Sequence, residues 1–330
     1  MKLGIVGTSY ISYEFAHAAA LAGFEVGVVM SRDKERGEKL LSRFARSGKS
    51  SVYSSIEEMA SDVKLDVVYI ASPNALHYPQ SIAAITGGKH VIVEKPCYMT
   101  LGELDNILAL AKQKSVCVLE ALRSFYSPAI DCVREAMAHI RPIRHVYFNR
   151  MRYSSRYDEY KAGITNSSFS KELGGGALSD LGVYLVYAAM DLFGMPMSLS
   201  YRSQYLESGV DSVTGIVMGY EGFNCMLAAS KVSNSFIDSE IQGENGSILI
   251  KTPFLHSEIV LRNNNGVSKE VINCKSINDM QVQAKALFRI ITDRDIGSLT
   301  RAHQFMRNST AILDACRKGE GGYVDSISWR

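Results

Sequence analysis

The sequence predicts a two-domain α/β protein. A doubly wound parallel sheet spans residues 1–120, and an α+β domain with a mostly antiparallel, open-faced sheet spans residues 121–330. Short, almost continuously apolar runs alternate with helical segments in the first part, as in parallel sheets that helices cover on both faces. Several strand-like runs separated by turns follow one another from residue 199 to about residue 271. A chain of 330 residues has the length of two ordinary domains.

The elements of the first domain are bounded by glycines and by helix-capping patterns. Gly23 follows a helix predicted over residues 10–22, and capping-box spacing begins at Ser55 and again at Thr100. The strands are predicted at residues 2–6, 25–30, 66–72, 90–94 and 116–119, with further helices at 33–46 and 75–86. This rhythm fits six strands in a doubly wound, dinucleotide-binding fold of the Rossmann type.

The second part of the chain has fewer helices. Helices are predicted at residues 128–139, within 174–193 and at 302–318, and a strand begins within 146–151. Helices would cover one face of the sheet, and the open face needs a partner. We therefore expect a homodimer or homotetramer that forms through the C-terminal sheet.

Charge and cysteine content exclude several classes of protein. The formal net charge is +2, and the arginine-rich stretch at 150–156 is followed by acidic residues, so no nucleic-acid partner is expected. The six cysteines lack metal-ligand or disulfide spacing. We predict no metal site, no membrane contact and no leader peptide, and the reduced cysteines suit the cytoplasm.

The turn after the first strand matches the position of a phosphate-binding loop. Gly7 keeps the first glycine of the G-x-G-x-x-G/A fingerprint, while Ser9 and Ser12 replace the later small residues. The N-terminus of the following helix would still offer N–H donors to a pyrophosphate. The cofactor-binding residues predicted here are Gly7, Thr8, Ser9, Tyr10 and Ile11. A plain strand–helix turn is the alternative.

The end of the second strand favours NADP(H) over NAD(H). A site for NAD usually places an acidic residue there, whereas this chain has Ser31 and Arg32, a hydroxyl and a guanidinium suited to a 2′-phosphate. Asp33 follows directly. It is either a ligand of the ribose or the N-cap of the next helix.

Read together with this loop, three motifs resemble the Gfo/Idh/MocA oxidoreductase family over the whole chain. They are Ser72-Pro73-Asn74, Glu94-Lys95-Pro96 and Gly-Gly-Gly-Ala-Leu-Ser-Asp-Leu-Gly-Val-Tyr over residues 174–184. The family usually has histidine where Tyr184 stands here. In having tyrosine at this position, the chain resembles the branch that contains dimeric dihydrodiol dehydrogenase and glucose–fructose oxidoreductase. The incomplete glycine loop is a second departure.

The resemblance implies roles for individual residues. Lys95 would lie beside the nicotinamide and the substrate, and Asp180 and Tyr184 would complete the catalytic group. Residues implied to contact the cofactor are Ser72, Pro73, Asn74, Glu94, Lys95 and Glu120. His77 lies near the cofactor loop and is included among the predicted cofactor-binding residues, although its sequence position favours a helix surface.

These residue types can support hydride-transfer chemistry on a carbonyl or hydroxyl carbon. Asp180 and Tyr184 are spaced i, i+4, which places them on one helix face. A lysine near a phenol favours the ionised form and stabilises a substrate alkoxide. Asp180 would orient Lys95. The glycine triplet would let the backbone approach nicotinamide and substrate.

Two functions are compatible with these residues. The first is NAD(P)-dependent oxidation or reduction of a sugar, polyol or related cyclic hydroxy or carbonyl compound, with Tyr184 as proton donor or acceptor. The second is a catalytically weak NADP-binding regulator or sensor on the same scaffold. Each site residue also has a structural alternative: a strand-end lysine, a first-turn aspartate and a core tyrosine.

Overall fold

The computed structural model describes residues 1–44, 51–251, 258–273, 278–319 and 323–324. The chain forms two compact units. The first comprises Met1–Leu122 and Met280–Thr310, and the second comprises Arg123–Asp279 and Ala311–Arg330. Residues 280–310, which were assigned by sequence to the second domain, therefore pack with the first.

The first unit contains a six-stranded parallel sheet of order β3-β2-β1-β4-β5-β6. Its strands are β1 (Lys2–Val6), β2 (Glu25–Met30), β3 (Ser51–Tyr53), β4 (Val67–Ile70), β5 (His90–Glu94) and β6 (Val118–Ala121). Its helices are α1 (Tyr10–Ala22), α2 (Lys34–Phe44), α3 (Ile56–Ala60), α4 (His77–Thr86), α5 (Leu101–Lys114), α10 (Asp279–Thr292) and most of α11 (Ile296–Lys318). This strand order is that of the dinucleotide-binding fold and confirms the predicted class.

Helix caps in this unit follow the sequence signals. Gly23 ends α1 with a positive φ of 109°. Thr100 and Glu103 form the predicted capping box of α5. The Thr100 side chain accepts the backbone N–H of Glu103, and the Glu103 side chain accepts the backbone N–H of Thr100. The predicted strand at 116–119 lies two residues later, as β6. The helix predicted over 33–46 ends at Phe44 among the described residues, and its last two residues lie outside them.

The helices α10 and α11 complete the core of the first unit. Phe288 packs edge-on against Phe24, with ring centroids 5.0 Å apart. The His303 Nε2 atom lies 2.9 Å from the Val118 carbonyl oxygen, and Met306 belongs to the buried cluster around β4 and β5. The sequence predicted only residues 302–318 of these two helices.

The second unit contains a nine-stranded mixed sheet among the described residues. Its order is β14-β13-β12-β11-β7-β10-β9-β8-β15, and only the β7–β10 pair is parallel. Its strands are β7 (Ile143–Met151), β8 (Ser198–Tyr205), β9 (Asp211–Tyr220), β10 (Phe223–Ser230), β11 (Ser239–Gly243), β12 (Gly246–Ile250), β13 (Glu258–Arg262), β14 (Ser268–Asn273) and β15 (Tyr323–Val324). The mostly antiparallel sheet is as predicted.

Four helices of this unit lie between residues 123 and 193. They are α6 (Arg123–Tyr126), α7 (Ala129–Met137), α8 (Tyr157–Lys161) and α9 (Val183–Phe193). Seven of the eleven residues of α9 are buried, and the helix packs against β7 and β10. A π-helical segment, Leu178–Gly182, leads directly into α9. Single π-helical turns inside helices often mark functional sites.

Five cysteines lie in the described part of the chain, and each is a free thiol. Cys97, Cys225 and Cys316 are buried, as expected for small apolar side chains, and Cys117 is partly buried. Burial raises the pKa of each of these four thiols. Cys274 lies outside the described residues. Among the described helices, none combines the length and the apolar character that crossing a bilayer would require.

Candidate active site

A cavity of about 440 Å³ opens at the carboxyl ends of β1, β2 and β4. This edge of an open parallel sheet is where such folds bind ligands. Seven predicted cofactor residues line it: Gly7, Thr8, Ser9, Ser31, Arg32, Ser72 and Pro73. Asp33, Arg36, Leu76 and Gln80 also line it, together with Val6, Met30 and Ala71.

Gly7 is required at its position. Its φ is 97°, and its N–H donates to the Met30 carbonyl. A Cβ atom added there would lie 2.9 Å from the Ala71 carbonyl oxygen. The turn therefore depends on glycine, and it brings backbone close to the cavity.

The two serines that replace the later glycines of the loop remain compatible with a phosphate site. Ser9 lines the cavity at the N-cap of α1 and makes no side-chain cap hydrogen bond, so its hydroxyl does not occupy the N–H donors of the first turn. Ser12 is fully buried, and its hydroxyl lies 3.4 Å from that of Ser9. The N-terminus of α1 thus retains the donors that bind a pyrophosphate.

Two arginines border the cavity after β2. Arg32 and Arg36 are both exposed there, four residues apart. The Asp33 carboxylate accepts the Arg36 N–H at 3.1 Å. Of the two roles left open for Asp33, the structure shows the helix cap, and the guanidinium of Arg36 is a cofactor candidate that the sequence analysis missed.

His77 is buried, not on a helix surface as its sequence position suggested. Its Nδ1 atom lies 3.1 Å from the Pro96 carbonyl oxygen, and its Nε2 atom lies 3.0 Å from that of Ser72. Burial lowers the pKa of His77, whereas these backbone carbonyls raise it to a smaller extent. The imidazole therefore links the segment after β4 to the segment after β5. It does not line the cavity.

Glu94 is the last residue of β5, and Lys95 follows it directly. Tyr69 Oη donates to Glu94 Oε1 at 2.6 Å, and the tyrosine ring stacks on Phe15 at 3.8 Å. The Glu94 carboxylate is therefore positioned from within the sheet. Lys95 is half-buried, and its peptide bond to Pro96 is cis. Neither residue lines the described cavity, so their contact with a cofactor stays a prediction.

Glu120 lies within β6. It is 2 % exposed, and its Oε1 atom accepts the Cys97 N–H at 2.8 Å. This contact fixes the chain just beyond Pro96, which is a positioning role. The other predicted cofactor residues outside the cavity lining are Tyr10, which is 77 % exposed, Ile11 and Asn74. Their contact with a cofactor also stays a prediction.

The glycine triplet makes close contacts within the second unit. A Cβ atom on Gly175 would lie 2.5 Å from the Ser167 carbonyl oxygen. Gly176 has a φ of 126° and faces Asp211, whose carboxylate accepts the Leu178 N–H at 2.6 Å. In the described structure the triplet allows close approach of the protein's own backbone, and this packing fixes the start of the π-helical segment.

Asp180 is paired with a lysine that the sequence analysis did not identify. Lys231 Nζ lies 2.8 Å from Asp180 Oδ2 and 3.3 Å from the Ser168 carbonyl oxygen, and it stands 5.0 Å above the Phe169 ring. The lysine side chain is 2 % exposed, whereas that of Asp180 is 46 % exposed. One side of the carboxylate is therefore held by a buried cation, and the other is accessible.

Tyr184 stands at the start of α9, four residues after Asp180. The Arg150 guanidinium lies 4.2 Å from the centre of its ring, at a distance typical of a cation–π contact. Burial lowers the pKa of Arg150, and the proximity of Tyr184 and Asp180 raises it. The structure thus groups Tyr184, Asp180, Arg150 and Lys231 in the second unit. Lys95 belongs to the first unit, and its convergence with Tyr184 stays a prediction.

No cluster of three or more metal-ligating side chains occurs in the part of the chain that the structure describes.

Comparison with known proteins identifies the family. The model of an oxidoreductase family with an NAD-binding Rossmann fold, GFO_IDH_MocA, matches residues 1–122, and the model of the GFO/IDH/MocA C-terminal domain matches residues 143–249. The first match covers β1 to β6, and the second covers the strands from β7 to β12.

Relatives and solved structures extend over the whole chain. The scyllo-inositol 2-dehydrogenase (NADP(+)) of Bacillus subtilis is 31 % identical over 322 residues, which cover 97 % of each protein. The trans-1,2-dihydrobenzene-1,2-diol dehydrogenase of Mus musculus is 26 % identical over 82 % of this chain and 79 % of its own. A 3-ketoreductase from Actinomadura kijaniata, solved with NADP and TDP-benzene, has the same fold, with a TM-score of 0.85 at 18 % identity and coverage of 97 % and 98 %. By these matches the chain belongs to the Gfo/Idh/MocA family of oxidoreductases.

Proposed function

We propose that this oxidoreductase transfers a hydride between NADP(H) and a sugar, polyol or related cyclic hydroxy or carbonyl compound, with Tyr184 as proton donor or acceptor. The observation that carries the proposal is the placement of Tyr184. It is half-buried, the Arg150 guanidinium lies against its ring, and Asp180, which a buried lysine holds, precedes it by four residues. The named substrates of relatives, scyllo-inositol, a dihydrobenzene diol and D-xylose, support a cyclic CH–OH compound.

The chemistry follows from these groups. The nicotinamide, when bound, supplies the hydride to the carbonyl carbon or accepts it from the hydroxyl carbon. In reduction, the Tyr184 hydroxyl gives its proton to the substrate oxygen, and water returns a proton to the phenolate. In oxidation, the phenolate takes the hydroxyl proton. Lys95 stabilises the negative charge on the substrate oxygen, and Asp180, oriented by Lys231, orders this polar group.

Turnover separates this proposal from the regulator hypothesis. The purified protein would be titrated with NADPH, followed by the cofactor's fluorescence, and then assayed with a panel of cyclic ketones, inososes and aldoses. The proposal requires NADPH or NADP⁺ to be consumed with at least one class of compound. Tight NADPH binding without turnover across the panel would support the regulator or sensor instead.

We propose that the cavity binds NADP(H) in preference to NAD(H) through Arg32 and Arg36. Gly7 and the N-terminus of α1 fit a pyrophosphate, since the glycine leaves the space that a side chain would fill. The two exposed guanidiniums fit a 2′-phosphate, for which arginine is a strong partner. Two relatives are named as NADP(+)-dependent, the scyllo-inositol 2-dehydrogenase of Bacillus subtilis and the D-xylose 1-dehydrogenase of Hypocrea jecorina, which agrees with this preference.

A double substitution tests the role of the two arginines. Arg32→Ala with Arg36→Ala is expected to raise KM for NADPH by about 10- to 100-fold, because charge-assisted hydrogen bonds to the phosphate are lost. KM for NADH should change by less than about threefold. Arg43→Ala is the control, because Arg43 lies on α2 like Arg36 but outside the cavity lining. Equal changes with the two cofactors would contradict the assignment.

We propose that two copies of this chain associate through the open face of the C-terminal sheet. Val217 and Met226 lie opposite each other on β9 and β10 and are 37 % and 43 % exposed, while their strand neighbours Ile216 and Cys225 are buried. An apolar stripe on an exposed sheet face is typical of a protein interface.

Light scattering measures the association directly. We expect a dimer or tetramer for the unaltered chain and a shift to monomer for Met226→Glu, because a carboxylate would be buried without a partner. Val63→Glu, at a 90 % exposed position of the first unit, should leave the mass unchanged. A monomer at all concentrations would refute the proposal.

A further inference from the structure

We propose that the substrate carries an acidic group, which Arg150 binds beside Tyr184. This inference deepens the proposed function and rests on it, since Tyr184 marks where the substrate reacts. It narrows the cyclic hydroxy or carbonyl compound to one that bears an oxyanion a few bonds from the reacting carbon.

The Arg150 guanidinium has a buried N–H donor group that finds no acceptor among the described residues. Its Nη1 atom is buried and has no hydrogen-bond partner in the described part of the structure. A buried polar atom without a partner is costly, and a buried guanidinium more so, unless a ligand supplies the acceptor. The same guanidinium lies against the Tyr184 ring, so an acceptor that reaches it would also adjoin the phenol.

The charges around Arg150 are unbalanced. Arg123 and Arg152 act on it as neighbouring cations, and within the described residues neither makes an ion pair. Asp180 is a carboxylate close to Arg150, and it already accepts from Lys231. Three guanidinium groups, those of Arg150, Arg123 and Arg152, are therefore near one another, and the carboxylate beside Arg150 is already paired with a fourth cation, Lys231. An anion on the substrate would restore the balance, since like charges held close together are unfavourable.

The geometry of arginine suits this ligand. A guanidinium offers parallel N–H donors that match a carboxylate or a phosphate in a two-point contact. One face of Arg150 is occupied by the tyrosine ring, which leaves its in-plane donors for the ligand. Neutral hydroxyl groups would satisfy the hydrogen bonds but not the excess positive charge. The arrangement therefore points to an oxyanion, either a carboxylate or a phosphate.

Matched substrates test the inference. Turnover with NADP⁺ would be measured for galacturonate against galactose, glucuronate against glucose, and glucose 6-phosphate against glucose. We expect the unaltered protein to favour the acidic member of at least one pair by 10-fold or more in kcat/KM. The carboxylate pairs and the phosphate pair identify which oxyanion is bound. Equal or higher kcat/KM for the neutral members of all three pairs would overturn the inference.

Substitution of Arg150 locates the selectivity. Arg150→Gln should lower kcat/KM for the acidic substrate by about 100-fold and reduce the preference within the pair to below threefold. Arg150→Lys, which keeps the charge without the fork, should retain part of the preference and guards against a folding defect, as would an unchanged melting temperature. Arg202→Gln, at an exposed position of β8, is the matched control. An equal loss for both members of the pair would contradict the assignment.

A binding measurement separates this inference from the proposed function. Glucuronate and glucose would be titrated into the NADPH-loaded protein and followed by the cofactor's fluorescence. Turnover without preference for acids would overturn the inference and leave the proposed function in place. Acid-selective binding that Arg150→Gln abolishes, without turnover of any compound, would support the anion site and contradict the proposed catalysis.

Discussion

Tyr184→Phe is expected to lower kcat by about 10²- to 10⁴-fold, the range for removal of a general acid or base. The phenylalanine ring keeps the surface against which the Arg150 guanidinium stacks, so the loss isolates the hydroxyl group. KM for both substrates should change little, because the substitution removes proton transfer and not binding. Steady-state NADPH consumption with the best compound of the panel measures the effect.

Two further variants control this result. Tyr187→Phe removes a hydroxyl from a buried tyrosine on the same helix and should leave kcat within about threefold of the unaltered protein. Lys95→Ala should lower kcat to a degree similar to Tyr184→Phe, since the lysine is proposed to stabilise the same oxygen. Full activity of either Tyr184→Phe or Lys95→Ala would refute the proposed mechanism.

Asp180→Ala is expected to lower the free energy of unfolding by about 2–3 kcal/mol, because it leaves a buried ammonium without its carboxylate. Lys231 is 2 % exposed and keeps only its contacts with the Ser168 carbonyl and the Phe169 ring. This loss in the free energy of unfolding is smaller than for a fully buried pair, since Asp180 is 46 % exposed and water screens its charge. Urea unfolding followed by fluorescence and circular dichroism measures the change.

The double variant Asp180→Ala with Lys231→Met separates stability from catalysis. Methionine fills much of the volume of the lysine without its charge, so the double variant should regain most of the lost stability. Activity should remain low if Asp180 also orders the catalytic group. Stability unchanged in Asp180→Ala would show that the pair contributes nothing to folding, and recovered activity in the double variant would limit Asp180 to a structural role.

Local signals were sufficient to predict most of the first unit. Apolar runs placed β1, β2 and β5 at their observed residues, and Gly23 ended α1 where expected. The strand β3 has only three residues, all partly buried, so its apolar signal is too short to recognise. The helix α10 was missed because its buried face forms only against the first unit, far away in sequence.

The cofactor loop could be predicted because its constraints are local. The φ of Gly7 and the position of Ser31 and Arg32 after a strand follow from neighbouring residues. Arg36 could have been found by the same logic, as the residue one helical turn after Arg32. His77 could not, since its burial depends on carbonyl groups nearly 20 residues later in the chain.

The catalytic group could be predicted only in part. The spacing of Asp180 and Tyr184 indicated one helix face, and the structure adds that a π-helical turn joins them. Lys231 lies 51 residues after Asp180 in a serine-rich segment that carries no motif. Arg150 was seen only as part of a basic stretch. β7 and β10 pair Arg150 with Ala229, two residues before Lys231, and this register brings the two cationic residues to neighbouring strands. Sequence spacing does not reveal such a register.

The core of the first unit is built from two segments that lie far apart in the chain, and this limits where the gene can be cut to express that unit alone. A fragment that stops after Leu122 would match the whole nucleotide-binding family model and yet lack part of the fold. It would uncover the edge at which His303 meets Val118, remove Met306 from among the apolar side chains, and leave Asp105 without Arg307. To make the cofactor domain alone, residues 280–310 would have to be rejoined to it through an engineered linker.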